Sequence, residues 1–254
     1  IAGTYQTAFG VQGVANGEFD SAQDGAVAVN GNVYVADGGN KRIQIFSAGG
    51  AFVSSFPLGA TIQNIDGKFN FPIGVFKDTS GSIYVADTQN NRIEVFSSNG
   101  NFLFAFGSSG HGNGQFVLPV DVAGDNKGTI FISDQGNNRI QSFDQNGNFV
   151  SQFGIEGTGE GEFLQPGGVV AFENKIYVAD TGNNRIQIFN DSGNFISGFG
   201  ASGGGDGEFS SPADLDVDSK GNIYVADTGN DRVQMFDATG QFIKQFAIFS
   251  KNSD

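Results

Sequence analysis

A thirteen-residue motif returns five times along this chain and leaves few architectures open to it. It reads YVADGGNKRIQIF from Tyr34 and YVADTQNNRIEVF from Tyr84. It returns as FISDQGNNRIQSF from Phe131, YVADTGNNRIQIF from Tyr177 and YVADTGNDRVQMF from Tyr224. The shared Asp falls at 37, 87, 134, 180 and 227, so successive copies lie 46 to 50 residues apart. A period of that length means one supersecondary unit per repeat, each burying its apolar face against its neighbours. The repeats span about 20–56, 70–106, 117–153, 164–199 and 210–246, a single domain of 1–254.

Each repeat predicts four short strands. The first follows a Pro in four copies, as in Pro119-Val-Asp-Val-Ala; the second is the Tyr-Val-Ala-Asp stretch. The third, Arg-Ile-Gln-Ile-Phe, alternates apolar and polar residues. So does the fourth, as in Phe52-Val-Ser-Ser-Phe, and alternation marks strands with one buried face. The joins at 145–148 (Gln-Asn-Gly-Asn) and 181–184 (Thr-Gly-Asn-Asn) are turn chemistry, and no stretch has a helical period. Twenty of the 27 Phe fall at four fixed repeat positions, and all five Arg fall at one. The expected fold is all-β, with four-stranded antiparallel sheets repeated radially to limit exposed edges.

The phrase YVAD-x-x-N-x-R-I-Q-x-F, followed by a Phe-x-x-x-Phe strand and a G-x-G-x-F-x-x-P loop, resembles the NHL repeat. The resemblance implies a β-propeller, usually of six blades, with ligands taken on the face carrying the loops between blades. Five complete repeats are present here. Residues 4–10 (TYQTAFG) read as an additional outer strand, which implies either a five-bladed ring with a surplus strand or part of a six-bladed parent. An unpaired strand would invite oligomer formation.

Composition narrows the function. The net charge is −14, which opposes phosphate and anionic lipid, so RNA binding of the kind known for some NHL proteins is not expected. No apolar run is long enough to span a membrane. Cysteine is absent, which excludes disulfides, thiolate metal sites and a cysteine nucleophile. Lack of Cys with abundant Ser, Thr, Asn and Gly suits extracellular or cell-surface display. The opening Ile1 is read as a processed or partial start.

Several residues are candidates for chemistry. Each repeat pairs an Asp with an Arg five residues on, across a tight hairpin: Asp37 with Arg42, Asp87 with Arg92, Asp134 with Arg139, Asp180 with Arg185, Asp227 with Arg232. A guanidinium can hold that carboxylate and nearby carbonyls, so the pairs read as a partly buried structural network between blades. Asp121 and Asp214 stand on the first strand where the other repeats have Gly25, Gly74 and Gly168. Glycine there is expected to leave the channel mouth open. Two carboxylates there could hold Ca²⁺, or simply bond neighbouring amides. Acidic loop residues, Glu18, Asp20 and Asp24, then Glu156, Glu160 and Glu162, then Asp206 and Glu208, suggest either a solvated face or a surface for a basic partner or cation. His111, the one histidine, reads as a loop residue. Asp144-Gln-Asn-Gly-Asn and Asp191-Ser-Gly-Asn read as turns despite their calcium-loop spacing, and Asn190-Asp-Ser matches a glycosylation sequon.

The expected function is a non-catalytic binding or scaffold module that presents this acidic face to a protein or other ligand. The alternative is a propeller enzyme with its site at the channel mouth. The resemblance extends to an amidating lyase that holds zinc with histidines, which this chain lacks, and to calcium-dependent lactonases, whose ligands Asp121 and Asp214 could imitate.

Overall fold

The structure, a computed structural model, describes residues 8–57 and 67–247. Each repeat forms one four-stranded sheet, here called a blade, whose strands pair in chain order. Blade 1 comprises Ala22–Val27, Val33–Asp37, Arg42–Phe46 and Phe52–Phe56; blade 2 comprises Pro72–Lys77, Ile83–Asp87, Arg92–Phe96 and Phe102–Phe106. Blade 3 comprises Pro119–Gly124, Ile130–Asp134, Arg139–Phe143 and Phe149–Phe153. Blade 4 comprises Val169–Phe172, Lys175–Asp180, Arg185–Asn190 and Phe195–Phe199, and blade 5 Pro212–Val217, Ile223–Asp227, Arg232–Phe236 and Phe242–Ala247.

The motif explains this register. Its Asp and Arg lie directly opposite each other at the loop end of strands two and three, as in Asp180↔Arg185 and Asp227↔Arg232. Strand four enters with a bulge just after its first Phe in blades 1, 2, 4 and 5. The extra residue, Val53, Leu103, Ile196 or Ile243, points to solvent. A bulge twists an outer strand and so blunts its edge.

The Phe positions build the joints between successive blades. Phe56, ending strand four of blade 1, lies 4.9 Å from Phe96 of blade 2 and 6.4 Å from the loop residue Phe69, while Phe102 meets Phe96 edge-on at 5.8 Å. The same set recurs as Phe106, Phe116, Phe143 and Phe149, and as Phe199, Phe209, Phe236 and Phe242. Tilted and edge-on rings at such spacing add to the burial of their apolar area. Phe9 takes the strand-four place against blade 1, 4.7 Å from Phe46 and 6.5 Å from Phe19. Residues 4–7 of the expected additional strand lie outside the described residues, and 8–10 carry no strand.

The chain divides into two compact units, the first running to Asn137 and including Gln141–Ser151, the second comprising Asn138–Ile140 and Gln152 onward. Blades 1 and 2 lie in the first, blades 4 and 5 in the second.

Candidate functional site

The loop that enters each blade, together with the turn between strands two and three, forms one constructed end of the sheet. The Asp of the motif is its anchor and is fully buried in all five blades. In blade 4, Asp180 Oδ1 accepts the Leu164 amide at 2.8 Å. Asp180 Oδ2 accepts Arg185 Nε at 2.7 Å, Gln187 Nε2 at 3.0 Å and Asn183 Nδ2 at 2.9 Å. Arg185 then donates to the Gly159 and Glu162 carbonyls, at 2.5 and 3.0 Å. Direct Nε–Oδ2 contacts of 2.7–3.0 Å occur in blades 1, 2, 4 and 5. In blade 3, Asp134 accepts the Val117 amide, Asn137 and Gln141, and Arg139 donates to Gln152. The carbonyls reached by these guanidinium groups belong to the loop entering the same blade. The network therefore ties hairpin to loop, where the sequence had suggested blade to blade.

One set of blade-to-blade polar contacts belongs to residues that read in sequence only as turn chemistry. Asn91, Asn138 and Asn184 close their turns in the left-handed region, at φ of 52° to 54°. Asn tolerates this conformation where a β-branched residue would not. Each Oδ1 accepts the amide of the residue before the Pro that leads into the next blade: Leu118 at 2.8 Å, Gln165 at 2.7 Å and Ser211 at 2.7 Å. Those three residues are themselves left-handed, at φ 52°, 51° and 48°. Such backbone persists where its surroundings over-determine it. The signal in the sequence was the second Asn of N-N-R, the residue directly before each of these Arg.

The acidic loop residues divide into braces and free charges. Glu162 Oε2 accepts the Gly159 amide and Glu208 Oε2 the Gly205 amide, both at 2.8 Å, and Glu18 Oε2 accepts Ala15 at 3.0 Å. Gln115 does the same work in blade 3, at 3.0 Å from Gly112. Asp24 is no loop-face residue: it sits on the first strand of blade 1, accepting the Gly25 amide at 2.6 Å and the Val75 amide of blade 2 at 2.9 Å. Asp20, Glu156, Glu160 and Asp206 are exposed.

Asp121 and Asp214 sit on first strands, half-buried, each with Oδ1 accepting the next amide, Val122 at 2.7 Å and Leu215 at 2.8 Å. Of the glycines matched to them in sequence, Gly25 is one place out of register, because Asp24 fills the equivalent position of blade 1, and Gly74 and Gly168 do not leave open space. A Cβ on Gly74 would stand 2.6 Å from Asp121 Cα, and one on Gly168 would stand 2.0 Å from Asp214 Oδ1. Glycine is required there because the next blade's Asp presses on the backbone. Among the described residues no group of three or more His, Cys, Asp or Glu side chains is placed to hold a metal ion. His111, exposed on the loop entering blade 3, has Nδ1 2.5 Å from Asn137 Oδ1. Asp144 accepts the Asn146 and Asn148 amides at 2.9 and 2.8 Å, and these bonds, led by the one from the Asn148 side chain, hold its carboxyl below the usual range. In the Asp191 turn, Asn190 Oδ1 accepts the Ser192 and Asn194 amides.

A family model described as a 6-bladed beta-propeller matches residues 69–140 and 165–248, more than half of the sequence. The chain belongs to that propeller family. A model of the NHL repeat matches residues 19–46. Among solved structures, this propeller resembles a streptogramin B lyase, with a TM-score of 0.68 at 15% identity, covering 91% of this chain and 70% of that one. It resembles virginiamycin B lyase from Staphylococcus aureus at 0.66 and 15%, covering 91% and 71%. It also resembles a chain of a nidogen/laminin complex at 0.67 and 20%, covering 89% and 80%. At these identities the likeness shows the fold. Comparison with curated proteins gave no match. No helix among the described residues is long and apolar enough to cross a membrane.

Proposed function

We propose that this propeller is a non-catalytic binding module whose entry loops offer a preorganised acidic surface to a basic protein segment. One observation carries the reading: the loops are internally clamped while their outward side chains are acidic. In the second unit, Arg185, Asn183 and Gln187 hold loop 154–165 through Gly159, Gly157 and Glu162. Arg232, Asn230 and Gln234 hold loop 200–211 in the same way. The Asn184–Ser211 bond ties the end of loop 200–211 to the blade 4 hairpin that holds loop 154–165. They carry Glu156, Glu160, Glu162, Asp206 and Glu208. A rigid loop loses little entropy on binding, and a surface of one sign steers an oppositely charged partner. Protein binding is also what a nidogen/laminin complex displays on a similar fold.

The test removes charge without removing a brace. Gln115 already fills the bracing place in blade 3, so Glu162→Gln and Glu208→Gln keep the acceptor. A variant combining them with Glu156→Gln, Glu160→Gln and Asp206→Asn is titrated with a lysine-rich peptide beside the parent chain. The expected result is salt-sensitive binding by the parent, mapped by amide shifts to 154–165 and 200–211, and weakened at least tenfold in the variant. Equal binding by both, or shifts confined to other loops, would overturn the proposal.

A further inference from the structure

The residue two after the motif Arg is Gln44, Gln141, Gln187 and Gln234 in four blades and Glu94 in blade 2. All five are buried. Each glutamine works in both directions. Its Oε1 accepts a loop amide, from Gly17, Gly114, Gly161 or Gly207, at 2.9 Å. Its Nε2 donates to the buried Asp at 3.0–3.1 Å and to a loop carbonyl at 2.6–2.7 Å. Glu94 reproduces the first half, with Oε1 accepting the Gly67 amide at 3.1 Å and contacting the Arg92 guanidinium. Its Oε2, left with the place of the donor, has no hydrogen-bond partner among the described residues. The acceptors that the amide serves elsewhere correspond here to the Asp87 carboxylate and the Lys68 carbonyl.

Charge counting sharpens this. In the other blades one Arg balances one Asp beside a neutral amide. An ionised Glu94 would leave two buried carboxylates sharing Arg92, a net charge in a site closed to water. Among the described residues, the ionisable groups facing Glu94 are Asp87 from strand two and Arg92 from its own strand. The residues opposite it on strands two and four are Val85 and Ala105, and the loop offers main chain at Gly67 and Lys68.

We propose that Glu94 is held protonated in the folded chain, its Oε2–H donating as the glutamine amide does in the other blades, so that losing this proton loosens the hold on Gly67 and Lys68 ahead of blade 2 as the medium turns alkaline. The proton leaves to water, and a second buried carboxylate is left beside Asp87. Burial is the main influence on this carboxyl, with Asp87 adding to it and Arg92 opposing; together they push it up to about 7 from an ordinary 4.5. A carboxyl raised by folding contributes stability that is complete below its unfolded value and is lost as pH rises through the folded one. The window therefore runs from pH about 4.5 to about 7, above which the loss levels off.

The experiment compares melts of the full chain and Glu94→Gln from pH 5 to 8.5. The two should melt together at pH 5, and the variant should melt about 4 °C or more above the parent by pH 8.5. At pH 6 the parent should show the carbonyl stretch of a protonated carboxyl, shifted by ¹³C-glutamate labelling and lost in the variant. A melting difference that does not change with pH, or a variant less stable throughout, would overturn the proposal and make Glu94 an ionised partner of Arg92.

Discussion

Replacing Arg185 by Ala tests whether the motif's ion pair holds the loop end of a blade together. The pair is closed on one side and nearly so on the other: Asp180 is fully buried and the Arg185 side chain is 21% exposed. The substitution removes the 2.7 Å contact to Asp180 and the bonds to the Gly159 and Glu162 carbonyls. The carboxylate keeps Leu164, Asn183 and Gln187 as donors but loses its only cation in that set. Removing one member of a buried pair costs about 3–5 kcal/mol, and three surviving donors place this case at the low end, about 3 kcal/mol. For a chain of this length that corresponds to a fall in Tm of about 6–12 °C by calorimetry at pH 7. Amide exchange should quicken across 154–163. Arg185→Lys should recover only part of the loss, because an ammonium cannot reach the carboxylate and two carbonyls as a planar fork does. A loss under about 1 kcal/mol would refute the reasoning, since the pair would then be worth no more than an exposed one.

Two further substitutions probe the joints between blades. Gly74→Ala forces a Cβ against the Asp121 main chain and should cost about 1–3 kcal/mol. Gly25→Ala, whose nearest neighbour would be 3.4 Å away, should be close to neutral, and equal melting of the two variants would contradict the close approach. Asn91→Ala removes the acceptor of the Leu118 amide and puts Ala at a φ of 54°, for a combined loss of about 1–3 kcal/mol in urea unfolding. Asn91→Gly should restore the backbone share alone; no loss in either variant would show that the joint rests on the Phe cluster.

The repeat was legible because packing had locked residue types to a period. Phe at four positions and Arg at one are visible without coordinates, and they predict blades whose strands the structure reproduces almost to the residue. What a period cannot show is which atoms of one repeat meet the next. Gly74 and Asp121 look like independent choices in sequence, an opening and a ligand. In space one exists because the other crowds it. The Asn directly before the Arg, as in Asn91, reads as a turn residue, while its Oδ1 spans to the following blade.

The acidic loops show the opposite failure, in which charge was legible and its use was not. Glu162 and Glu208 look interchangeable with Glu156 and Glu160 in sequence, yet the first two spend an oxygen on their own loop's amides and only the second two are free. Glu94 joins the two lessons. It was visible as one Glu in a column of Gln, a change of a single polar group. Its consequence depends on that group lying at no measurable exposure beside a second carboxylate, where the difference between an amide and an acid becomes a difference in whether a proton stays. Departures from the repeat consensus therefore carry most weight where the clamp is buried, and it is at blade 2 that chemistry and fold should respond together to pH.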